Sequence, residues 1–184
     1  MIRLLVVGGG GVGKSGLIKQ FVTDCFYELY CPTLEDTFRK QLLVDETLWL
    51  LEIVEVSPDV FTEFRDFFVL SHGFVIMYSI TERSTFGAIT DYRNQIMKIK
   101  ETDSLPMTLV GNKCDRETCR QVSQLEGLQL ATSFGCPYFE TSAKLKVNVD
   151  EIFEELVRET RHLVPKPVVS SEPKTNKKKQ CFLM

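Results

Sequence analysis

A glycine-rich stretch near the amino terminus has the residue types and the spacing of a phosphate-binding loop. Residues 8–15 read GGGGVGKS and fit the pattern GxxxxGK(S/T). Glycines let the backbone curl until successive N–H groups point at one anion, and a helix that begins there adds its positive end. Lys14 can reach terminal phosphates and Ser15 can ligate Mg²⁺, so this phosphate loop predicts a site for a nucleoside triphosphate.

Two later stretches bear on the choice of base. Residues 112–115 read NKCD and residues 141–144 read TSAK, and each follows a predicted strand. The carboxylate of Asp115 can accept two N–H bonds from a guanine edge, whereas adenine offers no such pair. The pattern therefore favours guanine and disfavours an ATP-dependent enzyme such as a small-molecule kinase.

These loops need a frame of alternating strands and helices. Apolar runs predict strands at 2–7, 37–44, 47–56, 74–80, 107–110 and 138–139. Helical periodicity predicts helices at 14–23, 61–70, from Ser84, from a capping box at Ser123 to near Gly135, and along a stripe from Val149 to Leu163. The predicted fold is α/β, with a mainly parallel sheet covered on both faces and one antiparallel edge strand. All three loops then meet at the carboxyl ends of the strands.

Length and charge narrow the class of protein. The chain has 184 residues, which fits one domain with a short tail. The start lacks the pattern of a secretory signal, so the interpretation is a cytosolic chain whose six cysteines are free thiols. Residues 165–184 carry five lysines and one glutamate, a charge of +4, which leaves −7 for the rest of the net −3. An acidic body argues against nucleic-acid binding, and a basic tail predicts an anionic partner.

The motifs together resemble those of Ras-family small GTPases, nearest the Ras and Rap branch. The resemblance rests on GGGGVGKS, on YCPTLED at residues 30–36, on LVGNKCD at residues 109–115 and on ETSAK at residues 140–144. It implies a P-loop small G domain with a six-stranded sheet over residues 1–164, and a flexible basic tail over residues 165–184. It also implies GTP or GDP as ligand, with Mg²⁺.

The resemblance assigns roles to individual residues. Phe26 matches the aromatic that stacks on the guanine, with a core aromatic as the alternative. Thr33 matches the threonine that binds Mg²⁺ and the γ-phosphate, and Gly10 leaves room for the transition state of hydrolysis. The implied GTP-binding set is Gly8, Gly10, Gly11, Val12, Gly13, Lys14, Ser15, Gly16, Phe26, Thr33, Asn112, Lys113, Asp115, Ser142, Ala143 and Lys144. The implied effector-binding residues are Tyr30, Pro32, Leu34, Glu35 and Asp36, and exchange factors and GTPase-activating proteins are further expected partners.

The chain departs from the family where the pattern DTAGQ is expected, because residues 55–59 read EVSPD. Glu55 replaces the aspartate that holds Mg²⁺ through water, and its extra methylene predicts weaker dependence on Mg²⁺. Pro58 replaces a glycine whose N–H binds the γ-phosphate, and proline has no N–H. Asp59 falls nearest the catalytic glutamine and, when ionised, cannot donate a hydrogen bond. We therefore predict guanine-nucleotide binding with slow or absent hydrolysis.

Two functions follow from this departure. One is a GTPase switch that turns over, with Glu63 or His72 as a compensating residue or with help from a partner. The other is a GTP-bound adaptor that presents residues 33–36 to effectors without cycling.

The last four residues, CFLM, form a C-a-a-X box that predicts farnesylation of Cys181. One lipid chain gives only reversible attachment, and a basic cluster supplies a second signal. The predicted location is the cytoplasmic face of the plasma membrane or an endomembrane. The lysines that would meet the anionic leaflet are Lys177, Lys178 and Lys179.

Overall fold

The computed structural model describes residues 1–26, 35–57 and 65–165. Strands and helices alternate along the chain, as the periodicity predicts. The elements are β1 Ile2–Gly8, α1 Lys14–Thr23, β2 Glu35–Val44, β3 Thr47–Val56, α2 Arg65–Leu70, β4 Gly73–Ser79, α3 Arg83–Gly87, α4 Ile89–Lys100, β5 Met107–Asn112, α5 Gln124–Phe134, β6 Tyr138–Thr141 and α6 Val149–Thr160. Short 3₁₀ helices follow β5 at Cys114–Cys119 and α6 at Arg161–Leu163.

The six described strands form one sheet in the order β2-β3-β1-β4-β5-β6. Only the β2–β3 pair is antiparallel, and the other neighbours are parallel. Apolar side chains cover both faces, because α1 and α6 pack on one face and α2, α4 and α5 pack on the other. The predicted fold class is confirmed: an α/β sheet with helices on both faces and one antiparallel edge strand. Within the described residues, no helix has both the length and the apolar composition needed to cross a bilayer.

The turn between β2 and β3 is tight and is tied to the last helix. Asp45 and Glu46 have φ values of 47° and 62°, as both central residues of a type I′ hairpin turn must. The carboxylate of Asp45 accepts hydrogen bonds from Arg158 and Arg161, and the bond from Arg161 is the main cause of its lowered pKa. These contacts hold the antiparallel edge of the sheet against the carboxyl end of α6.

Local signals set the helix ends, with one exception. The predicted capping box is present, since the Ser123 side chain accepts from the backbone N–H of Glu126, whose carboxylate accepts in return. Gly135 ends α5 in the left-handed region with φ 69°. The prediction that Leu163 continues the buried stripe of α6 is wrong, because Leu163 is 51% exposed. The helix tightens to a 3₁₀ turn at Arg161, and three residues per turn rotate Leu163 out of the stripe.

His72 lies at the amino-terminal edge of the sheet, directly before β4. The Nδ1 atom of His72 accepts a hydrogen bond from the backbone N–H of Arg3 at 2.9 Å, and the backbone N–H of His72 donates to the Arg3 carbonyl at 2.8 Å. Arg3 and Gly8 are five residues apart along β1, a span of about 17 Å. The phosphate loop begins at Gly8, so the hypothesis that His72 compensates for the altered hydrolytic residues is wrong. Glu63 lies outside the described residues.

Acidification should weaken the fold through His72. Burial lowers the pKa of His72 from its ordinary value of 6.5. Below that value the unfolded chain takes up a proton that the folded chain resists, so the free energy of unfolding falls as the pH falls. His72→Asn keeps an acceptor for the Arg3 N–H and removes the titration. Urea unfolding at about pH 7.5 and about pH 5.5 should show a smaller loss in this variant than in the wild type.

His162→Asn is the matched control, because it removes the other histidine of the chain from an exposed position. A control variant that reduces the acid sensitivity as much as His72→Asn does would exclude burial of His72 as the cause.

Candidate functional site

The predicted loops meet at one edge of the sheet. The phosphate loop begins at Gly8 where β1 ends, NKCD begins at the last residue of β5, and TSAK begins at the last residue of β6. These strands are mutually parallel, so their carboxyl ends face the same way. Open α/β sheets bind ligands at this edge, and the order of these strands explains why loops a hundred residues apart in sequence lie together.

The phosphate loop has a backbone that only small residues permit. Gly13 has φ +98°, and a Cβ at this position would lie 2.5 Å from the Asn112 Nδ2 atom. Gly13 is also the cap residue of α1, and no side chain caps this end of the helix, whose positive dipole end suits an anion. A Cβ at Gly10 would meet no atom of the described residues within 4 Å.

Lys14 folds back over the phosphate loop. Its Nζ donates to the carbonyl of Gly8 at 2.8 Å and to that of Gly9 at 3.3 Å, and the side chain is only 6% exposed. The ammonium is therefore already desolvated and directed along the loop. A phosphate that arrives on the loop N–H groups meets a fixed positive charge with little further ordering.

Asn112 joins three segments of the site. Its Nδ2 donates to the Val12 carbonyl at 2.8 Å, and its Oδ1 accepts from the Thr141 hydroxyl at 3.0 Å. Lys113 adds a second tie, because its Nζ donates to the Gly11 carbonyl at 2.6 Å. The base loop (residues 112–115) is thus bonded both to the phosphate loop and to the last strand.

A cavity of about 260 Å³ opens beside the phosphate loop. This volume is slightly below the ~300–1,000 Å³ of sites that enclose a drug-sized ligand, so the cavity has the size for a ring system rather than for a whole nucleotide. Eight of the nine lining residues belong to the set predicted from the sequence. They are Gly13, Gly16, Phe26, Asn112, Lys113, Asp115, Ala143 and Lys144, and the ninth is Arg116.

Comparison with known families agrees with this geometry. The Ras-family model matches residues 3–162, from β1 to the 3₁₀ helix after α6. The chain belongs to the Ras family. It is therefore a small GTPase by family, and such proteins in general bind guanine nucleotide with Mg²⁺ and interact with effectors, exchange factors and GTPase-activating proteins.

In this Ras-family protein, Asp115 is held by the loop that follows β6. The Ser142 hydroxyl donates to Asp115 Oδ1 at 2.6 Å and also accepts the Leu145 N–H at 3.0 Å. The backbones of Ser142 and Val147 bond to each other in both directions. The carboxylate of Asp115 is thereby fixed in orientation while it lines the cavity, and a fixed pair of acceptors can read two adjacent N–H groups.

Phe26 lies at the rim of the cavity. Its side chain is 36% exposed, and its ring is 3.5 Å from the point where a Cβ of Gly16 would stand. The alternative that Phe26 is a core aromatic is wrong, since the ring belongs to neither core cluster. An aromatic ring with an open face beside a flat cavity can stack on a base.

Glu55 lies beside Ser15 and Lys14. Its Oε1 accepts the Ser15 hydroxyl at 2.9 Å and stands 4.0 Å from Lys14 Nζ. The residue is 3% exposed, and burial raises the pKa of its carboxyl. Glu55 Oε2 is buried and has no hydrogen-bond partner within the described part of the chain. A hydroxyl and a carboxylate with an unsatisfied oxygen are the donors that Mg²⁺ prefers, so these residues fit a hard divalent cation.

Several predicted site residues lie outside the described residues. They are Tyr30, Pro32, Thr33, Leu34, Asp59, Lys177, Lys178, Lys179 and Cys181. Glu35 and Asp36 begin β2, where they pair with Val56 and Glu55 of β3. The described end of the effector segment (residues 30–36) therefore adjoins the strand that carries Glu55.

Sequence reasoning missed two arginines that shape the base pocket. Arg116 lines the cavity one residue after NKCD, and only its position beside the motif could have indicated it. Arg120 donates to Glu140 at 2.6 and 2.9 Å and to Glu117 at 2.7 Å. These ion pairs clamp the 3₁₀ helix after NKCD to β6. The two carboxylates lie 3 and 20 residues from Arg120, so spacing alone does not reveal the pair.

Removal of the Asn112 side chain should destabilise the edge of the sheet where the phosphate loop and the two base loops meet. Asn112→Ala leaves the Val12 carbonyl and the Thr141 hydroxyl without partners in a buried position. We expect a loss of about 2–4 kcal/mol in the free energy of unfolding, measured with urea. Asn94→Ala, at an exposed position of α4, should change it by less than about 0.5 kcal/mol. Equal stability of the two variants would contradict the bracing role.

Proposed function

We propose that this Ras-family protein belongs to the Ras and Rap branch, binds GTP and GDP with Mg²⁺, and hydrolyses GTP slowly or not at all. The observation that carries the proposal is a contrast within one site. The phosphate loop and both base loops are complete and bonded to one another. Residues 55–59, by contrast, which run from the end of β3 into the segment after it, read EVSPD and lack the groups that orient an attacking water.

Guanine selectivity rests on Asp115. Its carboxylate lines the cavity, and Ser142 holds one of its oxygens. Two N–H groups of guanine would satisfy this acceptor, whereas adenine would leave a carboxylate facing an amino group and a ring nitrogen. Loss of such a pair typically costs several kcal/mol, so ATP should compete poorly.

Slow hydrolysis rests on the chemistry of Pro58 and Asp59. Protein catalysis of phosphoryl transfer consists mainly of positioning and electrostatic stabilisation. Proline cannot donate a backbone N–H to the γ-phosphate, and a carboxylate adds negative charge where charge accumulates. His72 lies at the opposite edge of the sheet and supplies no substitute.

A second candidate is a non-cycling, GTP-loaded adaptor. The tie between Glu55 and Ser15 favours it, because β3 is already bonded to the phosphate loop before any ligand arrives. The second switch segment (residues 55–73) begins at this hydrogen bond. We therefore expect its conformation to change little between the GTP-bound and GDP-bound states. The adaptor and the slow switch share the same binding site and differ only in turnover.

The bound nucleotide tests the proposal directly. Gently purified protein should carry guanine nucleotide, mostly GTP, identified by ion-exchange chromatography. Asp115→Ala should lower GTP affinity by on the order of a hundredfold, because the base loses its two acceptors. Protein that carries adenine nucleotide, or none, would overturn the binding proposal. Protein that carries mostly GDP would agree with the binding proposal but would contradict slow hydrolysis.

Restoring the family residues should restore turnover. Pro58→Gly with Asp59→Gln returns an N–H donor and a side-chain donor to the segment, so single-turnover hydrolysis should rise about tenfold to a hundredfold. Asp66→Asn on α2 is the charge-matched control, because it also removes one exposed carboxylate nearby in sequence. An equal rise in the control would attribute the effect to charge alone.

Effector recognition is proposed for the segment that ends in β2. β2 is the edge strand of the sheet, so one side of its backbone is open to a partner. Asp36 is exposed there and adjoins residues 30–35. We propose that effectors bind at this edge, and that exchange factors and GTPase-activating proteins act on the same switch segments.

Membrane attachment is proposed through the tail. Cys181 would carry a farnesyl chain, and Lys177, Lys178 and Lys179 would meet the anionic lipids of a cytoplasmic leaflet. Cys181→Ser should move the protein from the membrane fraction to the soluble fraction. Replacing the three lysines by glutamine should weaken vesicle binding about a hundredfold, from ~1 kcal/mol for each lysine.

The control for the tail is Cys25→Ser, which removes an exposed cysteine of the folded domain. Membrane association that survives in Cys181→Ser, or that is lost equally in Cys25→Ser, would refute the anchor.

A further inference from the structure

Glu55 holds its carboxylate beside Ser15 of the phosphate loop from a fixed place in the sheet. It is the penultimate residue of β3 and pairs in register with Val6 on one side and with Asp36 on the other. Its backbone is therefore fixed from two directions. The longer side chain then advances the carboxylate by about one C–C bond, roughly 1.5 Å, compared with an aspartate at this position.

The unsatisfied oxygen of Glu55 is the kind of ligand atom that a hard cation prefers. In the described part of the chain, four buried side-chain polar atoms lack a hydrogen-bond partner, and Glu55 Oε2 is the only carboxylate oxygen among them. A buried carboxylate oxygen without a partner is costly. The neighbouring Lys14 ammonium stands 4.0 Å from Oε1, beyond hydrogen-bond distance, so it neutralises the charge only in part.

The spacing of the two candidate ligands matches one coordination shell. Mg²⁺ binds oxygens at 2.0–2.1 Å in an octahedron, so two adjacent ligands stand about 2.9 Å apart. Ser15 Oγ donates a hydrogen bond to Glu55 Oε1 at 2.9 Å, so the hydroxyl and the carboxylate lie near enough to become adjacent ligands of one cation once the hydroxyl proton turns away. Glu55 Oε2 is the second oxygen of the same carboxylate, and it has no partner among the described residues. A carboxylate that acted through a bound water would stand farther from the metal by roughly the length of a hydrogen bond.

We propose that Glu55 is a direct ligand of the Mg²⁺ that accompanies the nucleotide, so that its carboxylate takes the place of a coordinated water. This inference rests on the proposed binding of guanine nucleotide. It reverses the expectation from the sequence that the extra methylene weakens the dependence on Mg²⁺. A direct carboxylate adds a full negative charge to the shell and strengthens binding of the cation.

Mn²⁺ is the probe for this contact, because it replaces Mg²⁺ and is paramagnetic. The full chain, labelled with ¹³C at the glutamate δ-carbons, is loaded with GDP and Mn²⁺ and examined by electron-nuclear double resonance. Direct ligation places one carboxylate carbon about 3 Å from the metal, and a water bridge places it more than about 4 Å away. A strong ¹³C coupling in the wild-type protein supports the proposal. A coupling that fits only the longer distance overturns it.

Two variants and a control extend the test to affinity and hydration. Glu55→Gln keeps the length of the side chain and removes its charge, so Mn²⁺ affinity should fall at least about tenfold and the strong ¹³C coupling should disappear. Glu55→Asp should gain one water on Mn²⁺, counted with ¹⁷O-labelled water. Glu52→Gln changes another buried glutamate of β3, which bonds to Arg3 and Arg39, and should leave affinity and hydration unchanged.

One further measurement distinguishes a failure of the direct-ligand proposal from a failure of the proposed function. Binding of a fluorescent guanine nucleotide in the presence of Mg²⁺ is measured on the same preparations. Loss of nucleotide binding in the wild-type protein would refute the proposed function. Nucleotide binding with equal Mn²⁺ hydration in the wild type and in Glu55→Asp would refute only the direct ligand.

Discussion

The side chain of Asn112 is the interaction on which the rest of the site depends. One amide group bonds to the phosphate loop through Val12 and to the last strand through Thr141. All three residues are buried, so neither bond can be exchanged for water without cost. The base cavity lies directly beside this junction, and its walls come from the segments that Asn112 joins. The geometry of the pocket therefore follows from one satisfied side chain more than from any single loop.

Two buried glutamates of β3 show how placement decides what a carboxylate can do. Glu52 is buried too, which opposes its charge, but hydrogen bonds from Arg39 and Arg3 lower its pKa. Glu55 is three residues further on, receives one hydroxyl bond, and has a raised pKa because burial outweighs its partners. Both carboxylate oxygens of Glu52 accept hydrogen bonds from arginines, whereas one oxygen of Glu55 has no partner among the described residues. The difference comes from their positions along β3. Glu55 lies at the end of the strand beside the phosphate loop, and Glu52 lies farther back, beside Arg3 and Arg39.

The proposal that this chain binds nucleotide but hydrolyses it slowly rests on two different segments of the chain. Binding uses the rigid edge of the sheet, where backbone N–H groups, Lys14 and the base loops are held by buried hydrogen bonds. Hydrolysis in this family uses the segment after β3, where Pro58 and Asp59 stand in this sequence. The bonds that brace the site come from Asn112, Lys113 and Thr141, none of which belongs to that segment. The proposed combination of bound nucleotide and slow turnover depends on this division.

The sequence by itself determined the alternation of strands and helices and the capping box at Ser123, because periodicity and short motifs encode local structure. The resemblance of its motifs to those of a known family implied eight of the nine cavity residues. It could not determine contacts between distant segments. Arg120 reaches Glu140 across twenty residues, His72 lies at the far end of β1, and Leu163 turns outward when the last helix tightens. The orphan oxygen of Glu55 is of the same kind, since it depends on how β3 registers against β1 and β2. Only the tertiary structure decided these features, because strand register and burial are collective properties of the packed sheet, and no local spacing specifies them.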